Sequence, residues 1–417
     1  MSIKELSTEE FNLFIDAFQK TNMYQTSEYA LAMSHQEYQS LLLGLVDERS
    51  NIYGATLVLV EKLGGFKYAT VPRGFLIDYN NTELISIFTK EIKKYLGKKD
   101  IIAVKIAPMI ERMRYQINEK TKTPIANYDA TFDALKKNGY FHMGYNHYFE
   151  SLLPRYEAEL KLNVPYYTLF EQLSPELQEH IRFSEQMGVK IYKGNQNHLE
   201  YLYLEVKDEY PRDLNFLRQF YQYFDTKQAI EFYYAKLDTE IYLKKSQELY
   251  QEYEARSNEL NGLLLRQDLS KEKVINEKMR VDRLFDQYKN QLIQATNLLR
   301  EYPKGVILSS LLIVKHKKTI YTVLDGYNHQ MKEFSARHLL FWKVIEKYSR
   351  LGFETFNFGG VANPTLAENK MKEINDFKTS FHTEIVEYIG DLELITNAPL
   401  YFMYRNTAPL KNIFSRS

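Results

Sequence analysis

Hydrophobic positions in the first part of the chain follow two different spacings. Between residues 8 and 20, Phe11, Ile15 and Phe18 recur every three to four residues, as on one face of a helix. Short continuous apolar runs indicate strands, and these lie at 41–46, 54–61, 66–71 and 101–106. Polar starts before amphipathic stretches indicate helices at 81–96 and 131–138. Strands that alternate with helices predict a mixed α/β layer.

A second α/β pattern begins near residue 166. Ser174 followed by Pro175 is typical of a helix start. Further helices are predicted at 198–208, 213–224 and 335–351, and strands at 231–237, 308–315, 319–324, 355–358 and 384–389. The two parts share an outline of helices, a hairpin, a helix and another strand, which is compatible with a duplicated unit.

Residues 240–302 interrupt this second pattern. They are dense in Glu, Lys, Arg and Gln, and their apolar residues, such as Leu249 and Leu260 or Val281 and Tyr288, fall near heptad spacing. This predicts two antiparallel helices that form a coiled-coil arm, with a turn at 268–270. Because the two ends of such an arm must lie close together, it is an insertion and not a linker.

These patterns predict an α/β (α+β) protein with two domains. The first domain would span residues 1–155, with the segment 394–417 packed back on it. The second would combine 156–239 with 303–393, and the arm 240–302 would project from it.

Composition excludes several classes of protein. The 54 Lys and Arg residues equal the 54 Asp and Glu residues, so no global field attracts the chain to nucleic acid. The chain has no cysteine, which excludes disulfides and a thiol nucleophile. No stretch approaches the roughly 18 apolar residues of a membrane helix, and the N-terminus does not resemble a signal peptide. We therefore expect a soluble, cytoplasmic protein.

Common cofactor and metal motifs are absent from the sequence. There is no Walker loop, no HExxH, no paired CxxC and no GxGxxG, and the acetyl-CoA pyrophosphate loop has no counterpart at 330–336. His316, His329 and His338 are scattered and do not suggest a metal site. We expect neither a cofactor nor a metal.

Residues 353–391 carry the strongest indication of chemistry. They predict a strand that ends in a turn at Gly359 and Gly360, then a short helix, then a second strand. A glycine pair lets another group approach the backbone closely. Lys378, just before the second strand, is able to meet an anion or a developing negative charge. The alternative is an ordinary strand–turn–strand with a surface lysine.

Taken in order, these features resemble the Fem family of aminoacyltransferases, which build the interpeptide bridges of peptidoglycan. The resemblance covers nearly the whole chain. The stretches that carry it are Gln25-Thr26, 67–79, the arm at 240–301, the helix at 335–351, Phe358-Gly359-Gly360, Phe377-Lys378 and 387–391. It implies two domains similar to GCN5-type acetyltransferases, with the arm inserted in the second.

The resemblance also implies an activity and its partners. Members transfer an amino acid from aminoacyl-tRNA to an amino group on the stem peptide of a peptidoglycan precursor, usually lipid II at the inner face of the membrane. An amine attacks an ester carbonyl, so the site needs positioning, a proton acceptor and a cation or N–H group near the oxygen. The arm would contact tRNA or a partner Fem protein, in a homodimer or heterodimer.

Eight residues are the candidates for this site. By resemblance, Lys378 and Phe377 would be catalytic and the others would bind substrate: Gly359, Gly360, Phe358, Tyr327, Arg182 and Arg73. For Phe358 and Tyr327 the alternative is ordinary core packing. For Arg73 it is a surface position in the turn Pro-Arg-Gly.

The chain departs from the family at positions that would bind phosphate. Met33 stands where members often carry a lysine, and the stretch 176–188 holds three glutamates and only Arg182. Leu324 replaces a frequent aromatic before Asp325. Two alternatives therefore stay open: a weak or inactive subunit that binds a partner Fem enzyme through the arm, or a transferase with a different acceptor.

Overall fold

The structure is a computed structural model that describes residues 1–36, 38–117, 119–265, 271–366 and 370–407. The predicted turn at 268–270 and residues 408–417 of the predicted C-terminal segment lie outside the described residues.

Sixteen strands are found in the described residues. In chain order they are β1 (Ser2–Glu5), β2 (Gln39–Val46), β3 (Ile52–Leu63), β4 (Phe66–Pro72), β5 (Ile101–Ala107), β6 (Glu111–Gln116), β7 (Thr121–Pro124), β8 (Tyr140–His142), β9 (Tyr156–Lys161), β10 (Val189–Gly194), β11 (Ile230–Leu237), β12 (Val306–His316), β13 (Thr319–Tyr327), β14 (Thr355–Val361), β15 (Glu384–Tyr388) and β16 (Leu392–Ile395).

The α-helices of the described residues, in chain order, are α1 (Thr8–Ala17), α2 (Ser27–Ser34), α3 (Thr82–Lys98), α4 (Tyr128–Lys137), α5 (Tyr166–Gln172), α6 (Pro175–Gln186), α7 (Leu199–Val206), α8 (Leu214–Asp225), α9 (Thr239–Leu264), α10 (Lys271–Glu301), α11 (Ala336–Arg350), α12 (Lys372–Thr379) and α13 (Ala398–Thr407). A 3-10 turn, His329–Phe334, precedes α11.

The strands form two mixed sheets. The first has the order β1-β2-β3-β4-β5-β16-β8, and the second has the order β10-β11-β12-β13-β14-β9-β15-β6-β7. Two strands from the first 155 residues, β6 and β7, therefore belong to the second sheet, and β16 returns to the first. The predicted division into domains stays a prediction, with this exchange of strands across it.

Buried side chains explain how the layers stack. On β3, Val58 and Val60 face the core under α3 and α4, whereas Leu57 and Leu59 face α1 and α2. The second of these cores continues into α7, α8 and the strands β11 to β13, so the two sheets share it. On its opposite face, the second sheet packs against α5, α6 and α11. The first sheet also holds α13, through Tyr404.

Helices α9 and α10 form a hairpin at 239–301. Tyr253 packs on Tyr288, with ring centroids 4.8 Å apart, and Ser257 donates to Asp282 at 2.7 Å, so the two helices run antiparallel. At the base, Thr239 Oγ1 donates to the carbonyl of Tyr302 at 2.8 Å. The two predicted helices are present, and their coiled-coil geometry stays a prediction.

Several predicted details differ from the structure. The sequence pattern predicts Thr8 and Ser27 as the caps of α1 and α2, but Ser7 and Thr26, one residue earlier in each case, cap these helices by accepting from backbone N–H groups. The predicted turn at Gly359 and Gly360 is wrong, because both residues lie inside β14. Across the described residues, no helix combines the length and the apolar character needed to cross a bilayer.

Candidate functional site

The second sheet opens between two neighbouring strands. The parallel pairing of β13 with β14 extends only to Tyr321 and Asn357. Beyond this point, β14 shifts its register against β9, and Gly359 adopts a φ of +77° that disfavours any side chain. The backbone edges that face each other past Tyr321 therefore have no ladder between them.

Lys378 lies at this opening. It projects from α12, and its Nζ donates to the carbonyl of Gly360 at 2.7 Å. The side chain is only 9 % exposed, and burial lowers the pKa of Lys378 to about 8, with the charge of Arg337 acting in the same direction and Asp325 against it. No salt bridge to Lys378 is found among the described residues. The site therefore holds a desolvated lysine at the edge of a strand.

A buried ion pair lies next to this lysine. Arg73, which is 2 % exposed, pairs with Glu157 on β9 and donates to the carbonyl of Pro154 at 2.7 Å. Its guanidinium lies 4.2 Å from the ring centroid of Tyr388. Asn357 Nδ2 donates to the other oxygen of Glu157 at 2.8 Å. Arg73 is therefore not a surface residue of a turn, and its positive charge is already paired with Glu157.

A cavity of about 1160 Å³ lies on the α11 side of the second sheet. It is bounded by α6, β13, the 3-10 turn, α11 and α12, and the side chains in its wall include His180, Tyr327, Lys332, Arg337, His338 and Phe377. The N-terminus of α11 opens here, and no side chain caps it. Its free N–H groups and positive dipole end favour an anion.

Arg337 organises one wall of this cavity. Its guanidinium pairs with Asp325 at 2.6 Å and lies 3.7 Å from the ring centroid of Phe377 and 4.9 Å from that of Tyr327. The hydroxyl of Tyr327 donates to Glu373 at 2.9 Å. Burial, with this hydrogen bond, raises the pKa of Tyr327 to about 12. Phe377 and Tyr327 thus form a fixed aromatic wall beside Lys378.

Of the eight candidates, Tyr327 and Phe377 line the cavity, Lys378, Gly359 and Gly360 meet at the opening between β13 and β14, and Phe358 and Arg182 lie apart from both. Phe358 is completely buried and stacks on Phe341, with ring centroids 5.4 Å apart, which favours the alternative of core packing. Arg182 is exposed on α6, donates to Gln178 and lies over Phe170, and it is not part of the cavity wall. The structure therefore brings together Lys378, Phe377, Tyr327, Gly359 and Gly360, with Arg73 one layer away.

Sequence reasoning missed several residues of this region. Glu157 and Arg337 carry no local pattern, because each acquires its partner from a distant strand or helix. Arg212, in the loop before α8, places its Nη1 3.4 Å from the sulfur of Met33. A positive charge therefore lies at the position where the sequence lacks a lysine, and only the fold reveals it.

No group of three or more His, Asp or Glu side chains suited to a metal ion is found in the part of the chain that the structure describes.

The chain is similar to known proteins over nearly its whole length. The model of the FemAB family matches residues 6–408. The chain belongs to the FemAB family. Similar FemAB proteins include aminoacyltransferase FemA of Staphylococcus epidermidis, 24 % identical over 425 residues, which cover 99 % of this chain and all of that protein. FemA of Staphylococcus aureus is 23 % identical over 426 residues, 99 % of each chain.

Solved structures support the fold of this FemAB protein. The crystal structure of FemX superposes with a TM-score of 0.73 at 18 % identity, covering 97 % of this chain and 99 % of that one. A tandem GCN5-related N-acetyltransferase protein from the clavulanic acid pathway gives a TM-score of 0.50 at 8 % identity, covering 95 % and 98 %. The predicted fold class, with two acetyltransferase-like units, is confirmed.

Proposed function

We propose that this protein is an aminoacyltransferase that moves an amino acid from aminoacyl-tRNA to an amino group on the stem peptide of a lipid II-like peptidoglycan precursor, in the synthesis of interpeptide bridges. Membership of the FemAB family and the name of the staphylococcal relatives support acyl transfer. The donor, the acceptor and a cytoplasmic location at the inner face of the membrane are part of the proposal.

The observation that carries the proposal is Lys378 at the opening between β13 and β14. Aminolysis of an ester places negative charge on the carbonyl oxygen, and a buried cation stabilises that charge far better than a solvated one. Among the described residues, the one hydrogen bond that Lys378 Nζ donates is to the carbonyl of Gly360, so its remaining N–H bonds are available to a substrate oxygen. The ester carbonyl would lie at this opening.

The two sides of the opening suit two substrates. The cavity beside α11 would take the 3′ end of the tRNA, because the helix N-terminus attracts phosphate and Phe377 and Tyr327 provide faces for a base. The acceptor would enter from the other side, where the two sheets meet. There Arg212 is half-buried and has no salt bridge among the described residues, so it is available to the diphosphate.

The test is transfer of a labelled amino acid from charged tRNA to lipid II. We expect the native protein to form the labelled product and Lys378→Ala to form less than about 1 % as much. Lys93→Ala is the matched control, since Lys93 is exposed on α3, which packs on the first sheet, and the change should leave transfer unchanged. The absence of transfer by the native protein, over all charged tRNAs and over acceptors with and without a started bridge, would exclude the proposal.

A second candidate is a FemAB transferase with a different acceptor. It is favoured by the engagement of Arg73 with Glu157 and by the position of Arg182 outside the cavity, which leave fewer cations for a diphosphate. If the native protein transfers an amino acid to a free stem peptide at least as fast as to lipid II, this second candidate is supported.

For the arm we propose contact with a partner Fem protein or a second copy of this chain. Apolar side chains are exposed towards its tip, with Leu265 86 %, Met279 53 % and Ile275 45 % exposed. Such a surface suits a protein partner better than tRNA. Sedimentation of the native protein, compared with a variant in which these three residues are serine, tests this: an unchanged monomeric mass for both, with and without a FemAB partner, would exclude it.

A further inference from the structure

Glu205 lies directly on the backbone of β13, next to the opening described above. It belongs to the last turn of α7, on the face of the second sheet that meets the first. A Cβ atom built on Gly326 would lie 2.7 Å from the Glu205 Cβ and 2.9 Å from its Oε2. Only a glycine at position 326 leaves room for this carboxyl group, so the close approach depends on the sequence of β13.

This carboxyl group is buried beside one hydroxyl group. Ser310 stands opposite Gly326 in the register of β12 and β13, and its hydroxyl is close enough to Glu205 to lower the pKa of the carboxyl. Among the described residues, neither Oε2 of Glu205 nor Oγ of Ser310 has a well-aligned hydrogen bond, and buried polar atoms are costly when they are incompletely bonded. Both oxygens are able to accept, so a substrate amine, which donates hydrogen bonds, would complete the bonding of this pair.

The electrostatic surroundings suit a group that exchanges a proton near neutral pH. Burial raises the pKa of Glu205 to about 8; the hydroxyl of Ser310 acts against this shift, and the charge of Asp325 acts with it. Asp325 is itself paired with Arg337 from α11 and acts on Lys378 from α12. Of the charged groups on β13, α11 and α12, Asp325 acts on the pKa of Glu205 directly, and Arg337 and Lys378 interact with Asp325. Glu205 and Lys378 therefore approach the same segment of β13 from α7 and from α12.

We propose that Glu205 is the proton acceptor for the acceptor amine, a role that rests on the proposed aminoacyl transfer. Its carboxylate takes one proton from the acceptor ammonium, which becomes a neutral amine. The amine nitrogen then attacks the ester carbonyl and forms the C–N bond, while the oxygen near Lys378 carries the negative charge. The C–O bond to the tRNA ribose breaks, the nitrogen loses a second proton, and the ribose oxygen takes up one proton. An amide and an alcohol result.

This role predicts a kinetic signature that a merely structural carboxyl would not produce. Transfer by the native protein should rise with pH up to about pH 8, as Glu205 ionises, and should fall at higher pH as Lys378 loses its charge. Glu205→Gln should lower the rate at pH 7.5 by about 100-fold or more, the usual contribution of a general base. It should also remove the rise in transfer rate with pH that the ionisation of Glu205 produces in the native protein. Glu205→Asp, which keeps the carboxyl, should retain the pH dependence at a lower rate.

A second acceptor separates proton removal from substrate positioning. In an acceptor analogue whose amine is replaced by an aminooxy group, the nitrogen is already unprotonated at the assay pH. The defect of Glu205→Gln should then shrink to less than about tenfold. Glu200→Gln is the matched control, because Glu200 is exposed on the same helix and should leave both reactions unchanged.

The outcomes separate this inference from the proposed function. If the native protein transfers no amino acid, the proposed function fails. If it does transfer, and Glu205→Gln keeps the native rate within threefold or loses equally on both acceptors, the role of Glu205 alone is excluded. If Glu205→Gln does not fold, Glu205→Asp decides: loss of the pH dependence in this variant would exclude the role.

Discussion

Replacing Lys378 by methionine removes a buried charge while it keeps most of the side-chain volume. The pKa of Lys378 falls from 10.5 to about 8 in the folded protein. Because the unfolded chain holds this proton more tightly, the charged lysine destabilises the fold by about 3 kcal/mol at pH 7. Methionine abolishes this cost but leaves the carbonyl of Gly360 without its donor, at a cost of about 1–3 kcal/mol.

We therefore expect Lys378→Met to be as stable as the native protein at pH 7, or more stable by up to about 2 kcal/mol, and to have lost transfer activity by about 100-fold or more. The cost of the native lysine is greatest below pH 8 and disappears as pH rises through 10.5, so the native protein gains stability with pH. Between pH 7 and pH 9 the advantage of the variant should shrink by about 1 kcal/mol.

The assay is urea unfolding at a series of pH values. The fluorescence of Trp342, the only tryptophan, reports on the core that also contains Phe377. Lys93→Met serves as control and should parallel the native protein at every pH. A variant that is several kcal/mol less stable than native, or whose stability difference does not change with pH, would refute the argument that Lys378 is held in place against its own desolvation.

Three further predictions concern stability, each measured by urea unfolding. Arg73→Met should cost about 3–5 kcal/mol because it leaves Glu157 buried and unpaired; adding Glu157→Gln should recover part of this loss, and simple additivity of the two changes would contradict a coupled pair. Phe358→Ala should cost about 3–5 kcal/mol as a core truncation, whereas Phe402→Ala, at an exposed position, should stay within about 0.5 kcal/mol. Burial lowers the pKa of His316 to about 4; since the unfolded chain binds this proton below pH 6.5, the native protein should lose about 2 kcal/mol relative to His316→Gln between pH 7 and pH 5, and parallel curves for the two proteins would argue against a buried neutral histidine.

Elements with a strong local signal could be predicted from the sequence. The heptad-like spacing in 240–301 and the amphipathic stretch before Gly352 gave α9, α10 and α11 within a few residues, because helix periodicity is a local property. The hairpin of β12 and β13 was also predicted, because two apolar runs separated by a short polar turn are a local signal too, although both strands extend further than expected.

Long-range pairings could not be predicted in this way. Nothing in residues 111–124 indicates that β6 and β7 join the second sheet, since their partner β15 lies about 270 residues later. The turn chemistry of Pro72-Arg73-Gly74 pointed to the surface, but Glu157 draws Arg73 into the interior. Local sequence shows which residue types are present, whereas burial and ion pairing depend on partners that only the fold supplies.

The candidate site shows the same division. Lys378 and the glycine pair were singled out from one short stretch, and the structure places them together. Their electrostatic setting, with Asp325 and Arg337 beside the lysine, comes from β13 and α11. Phe358 illustrates the opposite case, because an aromatic residue next to glycines looks the same in sequence whether it faces a substrate or the core.

The contact between Thr239 and Tyr302 holds the two ends of the helical hairpin together, so the arm is an insertion that could be replaced by another of the same base. Since the chain leaves and re-enters the second sheet at adjacent points, the hairpin can lengthen or shorten by matched helical turns without displacing a strand. The lower turns, which pack Tyr242 and Leu298 into the core, must be kept. Above them, the residues packed between the two helices, such as Leu260 and Val281, must stay apolar. A spectroscopic label or a foreign binding motif at an exposed position of the arm would leave Lys378 and Glu205 undisturbed. The same two-sheet core can thus carry helical hairpins of different length that bind different partners.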